Sequence, residues 1–331
     1  MAGRRAPTAE EMCEALALAG RAPSVHNSQP WRWRLHPRSA HLLLDLERTL
    51  GALDPTGREA IVSCGAVLHH ACVVFRADGW TILVHRLPNP AMLTHLATIE
   101  FAGSGPRDPG AGGLAAAVPR RRTDRRPFSS APVPRAVVER LVSAAEDREA
   151  ELVPVLDAAR RRDLMLAIDE AGDEQRRSSR YREELAAWTG RRSSRGDGIP
   201  AGALPRRRTP GMPARDFAAA GELVVPDLDD GATLAVLSTG GDSFESWLAA
   251  GEALSSVLLA AAGEGLAACP LSQIAEVGGA RSYVRDRILG GEAHPQLALR
   301  LGWPASTANL GPPTPRRPIG DFVHVSRDAG A

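Results

Sequence analysis

The chain has 331 residues and a mass of 35.1 kDa, enough for one large domain or two ordinary ones. Hydrophobic residues at 44% and charged residues at 24% exclude disorder over most of its length. The 40 basic and 39 acidic residues leave a formal charge of +1, without the positive surplus expected of a protein built to coat nucleic acid.

The pattern predicts a first helix over 8–19. Thr8 and Glu11 form a capping-box pair, and Met12, Ala15, Leu16 and Ala19 share one face. Gly20 stops it, and 21–30 is rich in turn residues. Alternation predicts strands over 31–35 and 41–46. A strongly apolar helix follows over 59–77 and ends at Asp78-Gly79, with a strand over 80–87. The Gly- and Pro-rich stretch 102–113 reads as a linker between an N-terminal half, 1–113, and a C-terminal half, 114–331. A basic run occupies 120–126. Helices are expected over 133–145, 157–171 and 178–188. Residues 189–216 then hold four prolines, five glycines and seven arginines, with little to bury. A stretch of that length without structure inside a compact protein is functional or disordered. A strand over 232–238, a long apolar helix over 244–262, strands over 266–271 and 296–301, and an extended tail over 312–325 complete the chain.

No run of eighteen apolar residues occurs, so no membrane span is expected. Glu10, Glu11 and Glu14 interrupt the N-terminal apolar stretch, which argues against a secretory signal and for the cytoplasm. Cys13, Cys64, Cys72 and Cys269 make no CxxC pair, and reduced, buried thiols are expected. There is no lysine, which removes Schiff-base chemistry. His69 and His70 have no carboxylate at helical spacing, so a packed pair is favoured over a metal site. Gly65, Leu68 and Gly79 recur as Gly251, Leu254 and Gly265, each time where an apolar helix turns into a strand. That points to a duplication whose halves pack together and leave a cleft between them.

Four segments can carry chemistry. Arg21-Ala22-Pro23-Ser24-Val25-His26-Asn27-Ser28-Gln29-Pro30-Trp31 is a rigid turn with several small polar groups, suited to a ligand with many acceptors. Arg120-Arg121-Arg122-Thr123-Asp124-Arg125-Arg126 offers planar guanidinium forks of the kind that grip phosphate. Gly265-Leu266-Ala267-Ala268-Cys269-Pro270-Leu271-Ser272-Gln273 permits close backbone approach to a flat ligand, and Pro315-Arg316-Arg317-Pro318 lies near the C-terminus. Taken singly, each reads more readily as a plain turn or a solvated basic surface.

Taken together, they resemble the nitroreductase family of flavin enzymes. The first matches a Pro-Ser-x-x-Asn-x-Gln-Pro-Trp signature, the second Arg-Arg-Ser/Thr-x-Arg, the third the Gly-Leu-x-x-x-Pro turn over the flavin, and the fourth a C-terminal arginine contact to phosphate. The order is unusual, because the Pro-Trp motif precedes the arginine motif. With Gly57-Arg58-Glu59 and Cys64-Gly65-Ala66, this closely resembles the actinobacterial Acg branch, whose members look like two fused subunits.

The resemblance implies an α+β nitroreductase-like fold, a pseudo-dimer inside one monomer, and FMN held across the seam. It places Arg121 and Arg317, with Arg316 and Ser24, on the FMN phosphate. Asn27 and Thr123 go to the ribityl chain or phosphate edge, and Arg125 to the pyrimidine end. The backbone of Pro270, Leu271 and Ser272, next to Cys269, approaches the ring. Pro23, Gln29 and Arg122 complete the expected set. One FMN per chain is expected, since the mirror turn Gly79-Trp80-Thr81-Ile82-Leu83-Val84 lacks the proline and no second Pro-Trp loop exists. Ser272-Gln273 stands where the family often has Glu-Gly, and Val25 where it often has a second serine. The implied activity is electron transfer from NAD(P)H through FMN to a nitroaromatic or quinone. Members of the Acg branch carry a lid, here 189–216, so FMN sequestration with little turnover is the alternative. A polyanion-binding module using the arginine runs is a third.

Overall fold

The computed structural model describes residues 5–190, 196–206, 209–217, 221–225, 228–305 and 313–326. The first part of the chain runs α1 (Ala9–Ala19), β1 (Trp31–His36), β2 (Ser39–Leu44), α2 (Arg58–Ala77), β3 (Trp80–Arg86), β4 (His95–Ser104) and α3 (Pro109–Ala117). The second runs α4 (Arg135–Glu146), β5 (Glu151–Val155), α5 (Ala158–Arg177), α6 (Ser179–Trp188), β6 (Thr233–Thr239), α7 (Phe244–Gly263), β7 (Ala267–Leu271), α8 (Gln273–Glu276), α9 (Gly278–Ile288), β8 (His294–Gly302) and β9 (Val323–Val325).

Local chemistry sets the helix starts. Thr8 Oγ1 accepts the Glu11 N–H at 3.2 Å while the Glu11 carboxylate accepts the Thr8 N–H at 2.7 Å, the reciprocal cap that the sequence predicts for α1. Gly57, at φ 75°, turns the chain into α2, and Asp54 Oδ2 takes the Ala60 N–H at 2.9 Å.

Two sheets flank a central helix pair. One has the order β3-β4-β2-β1-β9 and the other β5-β6-β8-β7. Read outward from the strand that follows each long helix, β3-β4-β2-β1 and β7-β8-β6-β5 are the same antiparallel arrangement. The duplication is therefore visible in the topology. Its axis passes between α2 and α7, which make the most extensive helix–helix contact of the chain. At their crossing, a Cβ on Gly65 would lie 2.1 Å from Leu248 O, and a Cβ on Gly251 would lie 2.0 Å from Val62 O. The two contacts interchange under a shift of 186 residues, Gly65 for Gly251 and Val62 for Leu248, and His69 and Ser255, themselves 186 apart, are hydrogen-bonded across the seam. Only glycine lets the two backbones approach this closely. In length and apolarity α2 and α7 could each cross a membrane, but they are the core: α2 is buried from Arg58 through Phe75.

Three expectations change. The stretch 102–113 is no linker. It contains the end of β4 and the start of α3, where Asp108 caps the Gly110 and Ala111 N–H groups and Pro109 fills the first helical position. A boundary at 113 would cut α3, which packs on both α2 and α7. The tail does not stay with the second half: β9 pairs in parallel with β1, Val323 opposite Trp33. Strands β4 and β5 and helix α9 escape the periodicity argument, although in β4 the buried Ile99 and Phe101 alternate with the exposed Glu100 and Ala102.

All four cysteines are free thiols, and no three His, Cys, Asp or Glu side chains among the described residues are grouped to hold a metal. His69 and His70 both reach Ser255 Oγ at 2.7 Å, and burial keeps both rings neutral.

Candidate functional site

The loop between α1 and β1 is folded into an uncommon backbone. His26, Asn27 and Gln29 adopt φ of 46°, 57° and 51°, a left-handed conformation that side chains other than glycine adopt at a cost. Hydrogen bonds hold it in place. Ser63 Oγ, on α2, accepts the Val25 N–H at 3.1 Å, and Ser24 Oγ accepts the Gln29 N–H at 3.0 Å. Asn27 Nδ2 donates to Gly198 O and Pro315 O, and Gln29 Nε2 donates to Gly196 O. One loop thus ties together α2, the 196–217 segment and the C-terminal tail.

Two adjoining cavities lie on the seam. The first, of about 910 Å³, is bounded by the Pro23–His26 loop, by Glu59, Val62 and Ser63 of α2, and by Cys269 to Gln273. Arg125 and, from the 196–217 segment, Ile199, Arg215 and Phe217 close it. The second, of about 760 Å³, is lined by Arg21, Arg121, Arg122, Arg125 and Arg316 with Asn27 and Thr314. Pro23, Ser24, Thr123, Arg125 and Ile199 belong to both walls, so the spaces adjoin.

The second cavity is strongly cationic. Among its described lining residues the one carboxylate, Asp124, is held by Arg126 at 2.7 Å. Arg121 Nη2 donates to Arg21 O at 3.0 Å, while Nε of both Arg21 and Arg121 is buried without a partner. Burial and the neighbouring Arg21 push the Arg121 guanidinium down to about 10. Burial with Arg121 and Arg21 pushes Arg316 down to about 9. Like charges gathered out of water are unfavourable unless an anion joins them.

The expected residues divide. Pro23, Ser24, Asn27, Arg121, Arg122, Thr123, Arg125, Cys269, Pro270, Leu271, Ser272 and Arg316 all reach one cavity or the other, though they span nearly the whole sequence. Gln29 and Arg317 reach neither. Gln29 is fully buried, and its Oε1 accepts the Arg317 N–H at 3.0 Å. The Arg317 guanidinium donates to Gln29 O, Trp31 O and Asp321 O and lies over the Phe322 ring. Arg317 thus lies where the tail docks on the first half, outside both cavities, and Arg21 lines the cationic cavity beside Arg121 and Arg316.

The 189–216 segment is also corrected in part. Residues 191–195 and 207–208 lie outside the described residues, but the remainder buries Ile199, Leu204 and Met212. Arg215 is buried against Glu276 and also reaches Tyr181 Oη and Ser272 Oγ. Burial opposes its charge, but Glu276 and Tyr181 outweigh that and raise its pKa. Asp197 pairs with Arg48 at 2.6 Å. Glu59, Arg215, Phe217 and Arg21 are cavity residues that sequence reasoning left out of the site. For Glu59 and Arg58, the signal is charge at the start of an otherwise apolar helix.

The nitroreductase family model matches residues 118–303. The chain belongs to the nitroreductase family. It is 40% identical over 324 residues to the Mycobacterium tuberculosis H37Rv protein named "Putative NAD(P)H nitroreductase Rv3131", covering 96% of this chain and 92% of that one. It is 37% identical over 330 residues to "Putative NAD(P)H nitroreductase acg" of the same organism, with 96% of each covered. Among solved structures, the FMN-dependent nitroreductase NfnB of Mycobacterium smegmatis in complex with NADPH is 18% identical, with 66% of this chain and 99% of that chain covered and a TM-score of 0.44. Within this family member, the match ends before the tail that carries Arg316 and begins after the loop that carries Ser24 and Asn27.

Proposed function

We propose that this nitroreductase-family chain binds one FMN in the joined cavities and is an oxidoreductase using NAD(P)H and an electron-poor acceptor, a nitroaromatic or a quinone. The observation that carries the reading is the pairing of a cationic cavity without a free carboxylate with an adjoining, largely apolar one. A phosphate suits the first: Arg21 and Arg121 each bring a guanidinium with a buried, unpartnered Nε, and Arg316, whose donors go to the carbonyls of Gly20, Arg21, Ala22, Thr314 and Pro315, adds its positive charge. A flat, mostly apolar ring suits the second, whose unpartnered polar atoms await the ring's polar edge.

Bound FMN would supply hydride chemistry that no side chain here can. The chain's own part is to bind, orient and exclude water. Arg125 brings a positive charge to the wall shared by both cavities, where it favours negative charge accumulated on a reduced ring. Both sides of the seam come from one chain, so a single copy completes the site. At the mirror position the ion pair of Arg86 with Glu252, at 2.6 Å, stands where the duplicate of Ser272 would be. That supports one FMN per chain.

A second reading, FMN sequestration with little turnover, draws on the anchored 196–217 segment. Ile199, Arg215 and Phe217 of this segment help to wall the apolar cavity that a nicotinamide would have to enter. Stopped-flow mixing of the FMN-loaded protein with NADH and with NADPH separates the two. Fast bleaching of the flavin band by either supports the oxidoreductase, and no bleaching with tight FMN retention supports sequestration. A protein that takes up no FMN refutes both.

A further inference from the structure

Glu59 stands in the first turn of α2, only 4% exposed, on the wall of the apolar cavity. Among the described residues its Oε1 has no hydrogen-bond partner. Gln273, the first residue of α8 and 1% exposed, also lines this cavity, and among the described residues its Oε1 is likewise unpartnered. The two come from opposite halves of the chain. A buried polar atom without a partner is unfavourable, so a ligand that satisfies both gains affinity there.

The two atoms ask for different partners. Gln273 Oε1 can only accept. Glu59 is faced by the carboxylates of Asp54, from the loop before α2, and Glu276, on α8. Arg58 on α2 and Arg215 from the covering segment face it as well, but Arg58 donates to Ala275 O and Asp242, and Arg215 is engaged by Glu276 and Tyr181. Burial and the two carboxylates raise the Glu59 pKa well above the ordinary carboxyl range, against the pull of both arginines. That favours the carboxylic-acid form, which can donate into the cavity.

We propose that Glu59 and Gln273 form a clasp for a cyclic imide edge, Glu59 donating to an imide carbonyl and Gln273 accepting the imide N–H. This rests on the functional reading above, since the pyrimidine side of FMN carries such an edge. Of the two side chains, only a neutral acid or an amide can fill the Glu59 position, because a carboxylate there would repel the carbonyl.

The test is binding of FMN and of N3-methyl-FMN to the apo-protein, followed by flavin fluorescence. Wild type should bind the methylated cofactor roughly 10-fold more weakly, the loss of one hydrogen bond of about 1.4 kcal/mol. Gln273→Leu should lose most of that discrimination. Glu59→Leu should weaken FMN binding roughly 10-fold, whereas Glu59→Gln, which keeps a donor, should stay within about 3-fold of wild type. As pH rises through the raised pKa of Glu59, wild-type affinity should fall while that of Glu59→Gln stays flat. The clasp is refuted if wild type, which needs no mutation to be tested, binds both flavins equally, or if Glu59→Leu binds FMN as tightly as wild type. Failure of wild type to bind FMN at all refutes the functional reading itself, and is a separate result.

Discussion

Replacing Arg121 by Met should move two measurements in opposite directions. Arg121 is 7% exposed and donates only to Arg21 O among described contacts, with Nε unpartnered and no carboxylate in reach. Its descent from 12.5 to about 10 corresponds, at about 1.4 kcal/mol per pKa unit, to an upper figure of roughly 3 kcal/mol of unfavourable environment. Methionine fills similar space without the charge, so the apo-protein should melt at the same temperature or higher. FMN binding should weaken instead. A charge-assisted hydrogen bond to phosphate contributes about 1.5–3 kcal/mol, or roughly 10- to 150-fold in Kd. Riboflavin lacks the phosphate, and its affinity should not change. The assay is flavin titration beside thermal melts of the apo-protein. Equal losses for FMN and riboflavin, or an apo-protein that melts several degrees lower, would show that Arg121 is a structural residue, and the anion-site argument would fall.

Three other perturbations test the frame around the site. Gly251→Ala would place a methyl 2.0 Å from Val62 O and 2.8 Å from Gly65 Cα, both backbone atoms. The helix pair must part, and a denaturant midpoint should report at least the roughly 1–3 kcal/mol of overpacking; a change below about 0.5 kcal/mol contradicts the crossing. Glu276→Gln leaves Arg215 buried without its counter-charge, a break worth about 3–5 kcal/mol in a closed pair. Limited proteolysis within 189–217 should accelerate, and an unchanged cleavage rate would show that this pair does not hold the segment down. Burial opposes ionisation of Asp242, but hydrogen bonds from Arg281 and Trp247 and the charge of Arg58 hold it well below the usual carboxylate range. A depressed carboxylate contributes stability that is present above its unfolded pKa near 4 and is lost as pH falls below that. Wild type should therefore lose more stability than Asp242→Asn in acid denaturation below about pH 4, and parallel curves would count against the pairing.

Much of this protein is written along the chain. Helix periods, the Thr8 cap and the long apolar helices are local properties, fixed by side-chain spacing and by which backbone groups lack partners. The duplication is legible because the same helix-to-strand turn recurs with its glycines. The four motif segments are legible because arginine forks and small polar turns suit few tasks. Composition hides α3, where glycine and alanine give no periodic face, although Asp108-Pro109 marks its start.

Sequence by itself therefore determined most of the elements, though not β4, α3, β5 or α9, together with the two-fold plan and the family. Only the tertiary structure decided which of two adjacent arginines meets the cavity. Arg316 and Arg317 have the same chemistry, but β9 joins β1 in parallel and fixes the tail's course. In the tail Arg316 donates to the carbonyls of Gly20, Arg21 and Ala22 and lines the cationic cavity, while Arg317 donates to those of Gln29 and Trp31 and lies outside it. The same holds for Glu59 and Gln273, more than two hundred positions apart and each unremarkable alone. Their chemistry depends on burial, on neighbouring charges and on a shared wall, and those arise only when two distant stretches close over one space.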